Sequence, residues 1–211
     1  MERFGKTISM FVPLYITNSC TNSCVYCGFN HNNPMKRTIL TEEEMVNEYK
    51  AIKKLAGLEG VPNKAFMLDD YTLAVQYIPG RVLARVPEEE VTAEYLEQCE
   101  AIINAIHQRD LVHLDTRGTS NWVMTPDGKP ALIDFQASVH TNGLPKKLRS
   151  FMEDMDMGGV YKKWKKYLPK EMGEFREKEN ERISKLRKLW VLKGYMGVKK
   201  RHAKHGKPID D

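Results

Sequence analysis

The feature that most constrains this chain is the run "TAEYLEQCEAIINAIHQRDLVHLDTRGTSNWVMTPDGKPALIDFQ", residues 92–136. It opens with an amphipathic helix whose Leu96, Cys99, Ile103 and Ile106 fall on one face. At that spacing Cys99 is a small core residue rather than a ligand. A polar loop follows, and then two apolar strands, "WVM" and "ALI", around a Pro126-Asp127-Gly128 turn. Asp115 and Asn121 stand on the loop and Asp134 just past the second strand. The expectation is that the three converge at one strand–loop–strand edge. The bland alternative is a chance set of polar residues on an ordinary hairpin.

Upstream, "KTISMFVPLYIT" is apolar and β-rich and reads as one buried strand. Thr41 and Glu44 form a capping box that opens a helix carrying Met45, Tyr49, Ile52 and Leu55 at helical spacing, with Gly57 as its stop. "KAFMLDDYTLAVQYIPG" predicts two strands joined at Asp69-Asp70 and ending at Pro79-Gly80. Downstream, a helix ends around Pro169, a charged helix runs from about Glu171 to Lys193, and a basic tail follows.

Between the first strand and the first helix, "NSCTNSCVYCGFNHNNPMKR" holds Cys20, Cys24 and Cys27 in the spacing CxxxCxxC. Three thiolates on one loop can ligate three irons of a cubane cluster and leave the fourth iron open. Alternatives are a Cys3His zinc site with His31 and inert cysteines. The segment 4–56 resembles the radical S-adenosylmethionine (SAM) enzymes of the tyrosine-lyase branch. The match lies in Pro13-Leu14-Tyr15, the three cysteines, Tyr26, Cys27-Gly28-Phe29 and the Lys-Arg before a Glu-rich helix. That resemblance implies a [4Fe-4S] cluster on Cys20, Cys24 and Cys27, with SAM on the open iron. Only about one βα unit of such a barrel is present, and the acidic segment that follows the family's second strand is missing.

From about residue 43 to 168 the order of segments resembles protein-kinase-like phosphotransferases, most closely the small bacterial proteins related to lipopolysaccharide kinases. "LVHLDTRGTSNWVMTPDGKPALIDFQAS" matches their catalytic loop and metal-binding strand. The resemblance implies that Asp115 is the base for the acceptor hydroxyl, and that Asn121 and Asp134 hold Mg2+ and, through it, ATP. Glu48 takes the place of the glutamate on the small-lobe helix, and Tyr77, before the hinge at Pro79-Gly80, is expected at the nucleotide. The chain departs from the pattern at Leu114, where an arginine is usual, and at Gln136, where a glycine is usual. One extra residue also separates Asp115 from Asn121. It lacks a glycine-rich phosphate loop and a recognisable strand lysine; Lys36 and Lys6 are candidates by position only.

The expected architecture is α+β: a kinase-like helical large lobe, a reduced small lobe of about three strands and one helix, and an N-terminal strand with its cysteine loop. The expected division is 1–57, 58–170 and 171–211. The helix at Thr41–Leu55 serves either family, so the chain reads as a junction between the two. Of its 211 residues 29% are charged, and the net charge of +5 is weighted to the C-terminal third in "KKWKK", "RISKLRKLW" and "KKRHAKHGK". That charge predicts a solvated helix face or an anionic partner. No run is long and apolar enough to span a bilayer, and the first residues do not read as an export signal. A cytoplasmic, reducing compartment is therefore expected. The acceptor favoured is a sugar, a lipid-linked sugar or another small molecule. The other readings are a degenerate nucleotide-binding relative that no longer turns over, a radical SAM-type [4Fe-4S] protein of the tyrosine-lyase class or a truncated fragment of one, and a non-enzymatic binding protein using the basic C-terminal helix.

Overall fold

The computed structural model describes residues 11–15, 42–69 and 72–188. Cys20, Cys24, Cys27, His31, Lys6, Lys36 and the Thr41 cap lie outside the described residues, as does the tail beyond Lys188.

The fold is α+β, with small sheets set around two long helices. β1 (Phe11–Tyr15), β2 (Ala65–Asp69) and β3 (Thr72–Gln76) form one antiparallel sheet in the order β1-β3-β2. β1 runs in unbroken register along β3, from Phe11 opposite Gln76 to Tyr15 opposite Thr72. β2 and β3 pair antiparallel, with a register shift between Met67 and Asp69, and the Asp70 of the turn expected from sequence lies outside the described residues. α1 (Glu42–Lys54) buries Met45, Ala51 and Ile52. The guanidinium of Arg109 donates to the carbonyls of Lys54 and Ala56, satisfying acceptors that the last helical turn leaves open. Gly57 follows at φ +80°, a left-handed conformation that ends the helix at little cost for glycine.

α2 (Ala93–Gln108) is capped by the Thr92 side chain, which accepts from Tyr95 N at 3.1 Å. Its buried face carries Tyr95, Leu96, Cys99, Ile102, Ile103 and Ile106. Full burial of each of the larger apolar side chains contributes about 1.5–3 kcal/mol. β6 (Trp122–Met124) and β7 (Pro130–Leu132) are the expected hairpin, extended by β4 (Arg81–Val82) in the order β4-β6-β7. Gly80, just before β4, is required by space. A Cβ there would meet the Met124 carbonyl oxygen at 2.2 Å. β5 (Leu111–Val112) pairs with β8 (Val139–His140), and this two-stranded sheet was not anticipated.

α3 (Lys146–Tyr167) and α4 (Gly173–Lys188) complete the chain. Residues from α1, β2, β3, α2, the hairpin, α3 and α4 share one apolar core, in which Trp122, Trp164 and Phe135 are fully buried. α4 is not a bare solvated helix. Its Ile183 is buried against Gly158 of α3, and Arg182 forms a bidentate pair with Asp154 at 2.7 and 2.8 Å. Among the described residues no helix is long and apolar enough to cross a membrane.

Candidate active site

The loop between β5 and β6 is fixed from three sides. From the helix side, Asp156 of α3, fully buried, accepts His113 N and Leu114 N, both at 2.7 Å, and contacts the His107 ring at 3.1 Å. These charge-assisted bonds hold Leu114 at φ +61°, a conformation that costs a non-glycine residue about 1–3 kcal/mol. Turning the backbone there swings Asp115 out of line with β5. Gly159 lets α3 approach the loop this closely, and Gly158 lets α4 pack on the same helix. A Cβ on Gly159 would lie 2.1 Å from Thr116 Oγ1 and 2.9 Å from Arg117 N, and one on Gly158 2.6 Å from Ile183 Cγ2. Thr116 Oγ1 donates to the Asp156 carbonyl at 2.7 Å.

From the hairpin side, the buried His113 ring bridges the two segments. Its Nδ1 accepts from Asp115 N and its Nε2 faces the Ile133 carbonyl, each at 3.2 Å. The pair of bonds requires the tautomer with its proton on Nε2. From below, Trp122 Nε1 donates to the Thr116 carbonyl at 2.9 Å, and Lys163 Nζ donates to the same oxygen. Lys163 is 2% exposed and lies 5.4 Å from the Trp122 ring centroid. Burial pulls its pKa down to about 7.

Asp115 and Asn121 meet directly: Asn121 Nδ2 donates to the Asp115 carbonyl at 3.1 Å and to its carboxylate at 3.0 Å. The hairpin brings Asp134 to the same end, because Ile133 N donates to the Asn121 carbonyl at 2.9 Å. Asp134 itself sits at φ +69°. Asn121 Oδ1 faces Ser120 Oγ at 3.2 Å, so the amide oxygen is turned away from Asp115. The structure therefore gathers Asp115, Asn121 and Asp134 at one edge of the loop and hairpin.

Glu48, on the inner face of α1, is 3% exposed and close enough to Asp134 to feel its charge. Burial first, and Asp134 second, push its carboxyl up to about 8, while the backbone amides of Phe135 and Gln136 oppose the rise. The neighbouring Asn47 ties α1 to this turn, donating to the carbonyls of Gln136 at 2.9 Å and Ser138 at 2.7 Å. Tyr77 is different: it is 39% exposed beyond β3 and takes no part in this network.

Sequence reasoning missed Asp156, Lys163 and the Gly158-Gly159 pair. A signal was present in "MEDMDMGGV", where an acid precedes two adjacent glycines in a run of methionines. Arg117 was also missed. It is half-buried two residues beyond Asp115, and burial and the charge of Arg187 lower its pKa.

Comparison with known proteins gives two separate likenesses. No protein-family model matches the chain. An N-terminal stretch is 50% identical over 54 residues to the 2-iminoacetate synthase of Salmonella typhimurium, and 46% identical over 54 residues to that of Escherichia coli. Each match covers 26% of this chain and only 14% of the synthase. Among solved structures, the chain resembles the Rio2 kinase–ADP/Mg2+-phosphoaspartate complex of Chaetomium thermophilum. The TM-score is 0.49 at 15% identity, covering 68% of this chain and 45% of that one.

Proposed function

We propose that the chain is a kinase-like phosphotransferase that moves the γ-phosphate of ATP to a hydroxyl acceptor. The observation that carries this reading is the direct Asp115–Asn121 contact, at the hairpin end that also bears Asp134. In the proposed reaction the acceptor oxygen bonds to the γ-phosphorus as the bond to the ADP oxygen breaks. Asp115 takes or orients the hydroxyl proton. Asn121 Nδ2 holds the Asp115 carboxylate in place, and the His113 and Asp156 bonds keep its backbone preset, so little reorganisation remains for the reaction. The nearby cations Arg117 and Arg187 favour an acceptor with negative charge of its own, such as a phosphorylated or lipid-linked sugar.

The donor set suits Mg2+. Asn121 and Asp134 offer hard oxygen ligands, and both nitrogens of the nearby His113 ring are already engaged. Among the described residues no group of three or more His, Cys, Asp or Glu side chains forms an all-protein cage. That suits an ion bound partly by phosphate oxygens. When bound, Mg2+ neutralises charge on the β- and γ-phosphates.

The test is thermal unfolding with ATP, with and without Mg2+. Stabilisation should require both and disappear in Asp134→Ala. Asp115→Ala should abolish turnover and leave nucleotide affinity within about tenfold, since it meets the acceptor rather than the phosphates. Full turnover by Asp115→Ala, or no Mg2+-dependent stabilisation of the wild type, overturns the proposal.

A second reading has its own support in the 50% identity to 2-iminoacetate synthase. In it, Cys20, Cys24 and Cys27 hold a [4Fe-4S] cluster that binds SAM. Anaerobic reconstitution should then give a brown protein absorbing broadly at about 400 nm. The colour should be lost in the triple Cys→Ala variant, and a colourless wild type excludes this reading.

A further inference from the structure

We propose that Glu48 is a direct oxygen ligand to a divalent cation held beside Asp134, in place of an ion pair with a strand lysine. The inference rests in part on the assignment of Asp134 to metal in the preceding section. It begins with one atom. Glu48 Oε2 is buried and has no hydrogen-bond partner among the described residues. A buried carboxylate oxygen left in that state is costly, because desolvation is not repaid by any bond. Here the cost is compounded by a second, half-buried acid, Asp134, which raises the energy of charge on Glu48. Among the described residues no lysine or arginine pairs with Glu48.

The carboxylate is also held where it is. Asn47, one residue earlier, bonds the Gln136 and Ser138 carbonyls. Met45 and Ile52, one turn to either side, are buried in the core. α1 therefore has no free swing that would carry Glu48 to solvent. Two acids in one dry site can be relieved by a proton on one of them or by a cation between them. A doubly charged, oxygen-preferring ion relieves both acids at once and supplies the partner that Oε2 lacks.

The probe is Mn2+, titrated into the full chain without nucleotide and followed by the loss of the free-ion paramagnetic resonance signal. Thermal unfolding is recorded in parallel. The wild type should bind Mn2+ and be stabilised by it. Glu48→Gln keeps the shape and removes the charge, and should weaken binding by about tenfold or more. If Glu48→Gln does not fold, Glu48→Asp is read instead, with weakened binding expected. A wild type that binds no Mn2+, or a folded variant that binds it as well as wild type does, overturns the inference. The two proposals fail separately. Equal Mn2+ affinity in Glu48→Gln, with intact Mg2+-dependent ATP stabilisation, removes only the ligand role of Glu48. Mn2+ binding that depends on Glu48, without any stabilisation by ATP, removes only phosphotransfer.

Discussion

Two buried carboxylates reach the same loop and hairpin from opposite sides, and their surroundings differ. Asp156 on α3 is matched on every side by His113 N, Leu114 N and the His107 ring. Glu48 on α1 retains a buried oxygen with no partner among the described residues and feels the charge of another acid. Both are within a few per cent of complete burial. A satisfied buried acid fixes geometry, whereas an unsatisfied one calls for an explanation. The α3 side of the site is therefore scaffold. The α1 side is where the proposed cation would bind.

The largest expected effect lies on the scaffold side. Asp156→Ala strips several bonds from buried donors at once and should destabilise the fold by about 3–5 kcal/mol in urea unfolding. A loss below about 1 kcal/mol would mean that the loop holds its shape without this anchor.

Next comes Lys163. Its folded pKa of about 7 lies below its ordinary 10.5, so over that interval the unfolded chain binds the extra proton. Stability should therefore rise with pH from about 7 toward 10.5 and be lowest below 7. The groups acting on it are Cys99, Lys162, Arg117 and Asp115, after burial itself. The stability difference between wild type and Lys163→Met should move in favour of wild type by about 2 kcal/mol between pH 7 and 9. A difference that stays flat across this range removes the assignment.

Gly159→Ala should cost about 1–3 kcal/mol, because its methyl group collides with Thr116 and Arg117 backbone or side-chain atoms. The smallest effect belongs to the α1 side. Glu48→Gln without metal should change stability by no more than about 1 kcal/mol, since no bond to Oε2 is lost. A loss as large as that of Asp156→Ala would make both acids structural and erase the contrast.

What could be read from sequence follows the same division. Asp115, Asn121 and Asp134 were legible because a hairpin with a Pro-Asp-Gly turn fixes which flanking residues meet. Glu48 was legible from helical spacing, because Met45, Tyr49 and Ile52 set the inner face of α1. Asp156 was not, because the acid beside two glycines in "MEDMDMGGV" marks a close approach but not the backbone, 42 residues away, that it serves. β5 and β8 were equally hidden, since two residues give no period to detect. Tyr77 was expected at the nucleotide, and the structure leaves its side chain 39% exposed, outside the hydrogen-bond network of the loop.

The five-residue β1 belongs to the synthase-like segment yet is hydrogen-bonded along the whole of β3. Strand pairing is made by backbone groups and asks little of side-chain identity, so many extended sequences could fill this berth. The converse is a liability. With the tract removed, β3 presents an unsatisfied rim of amides and carbonyls, and truncated chains should stick to one another or capture an extended peptide in its stead.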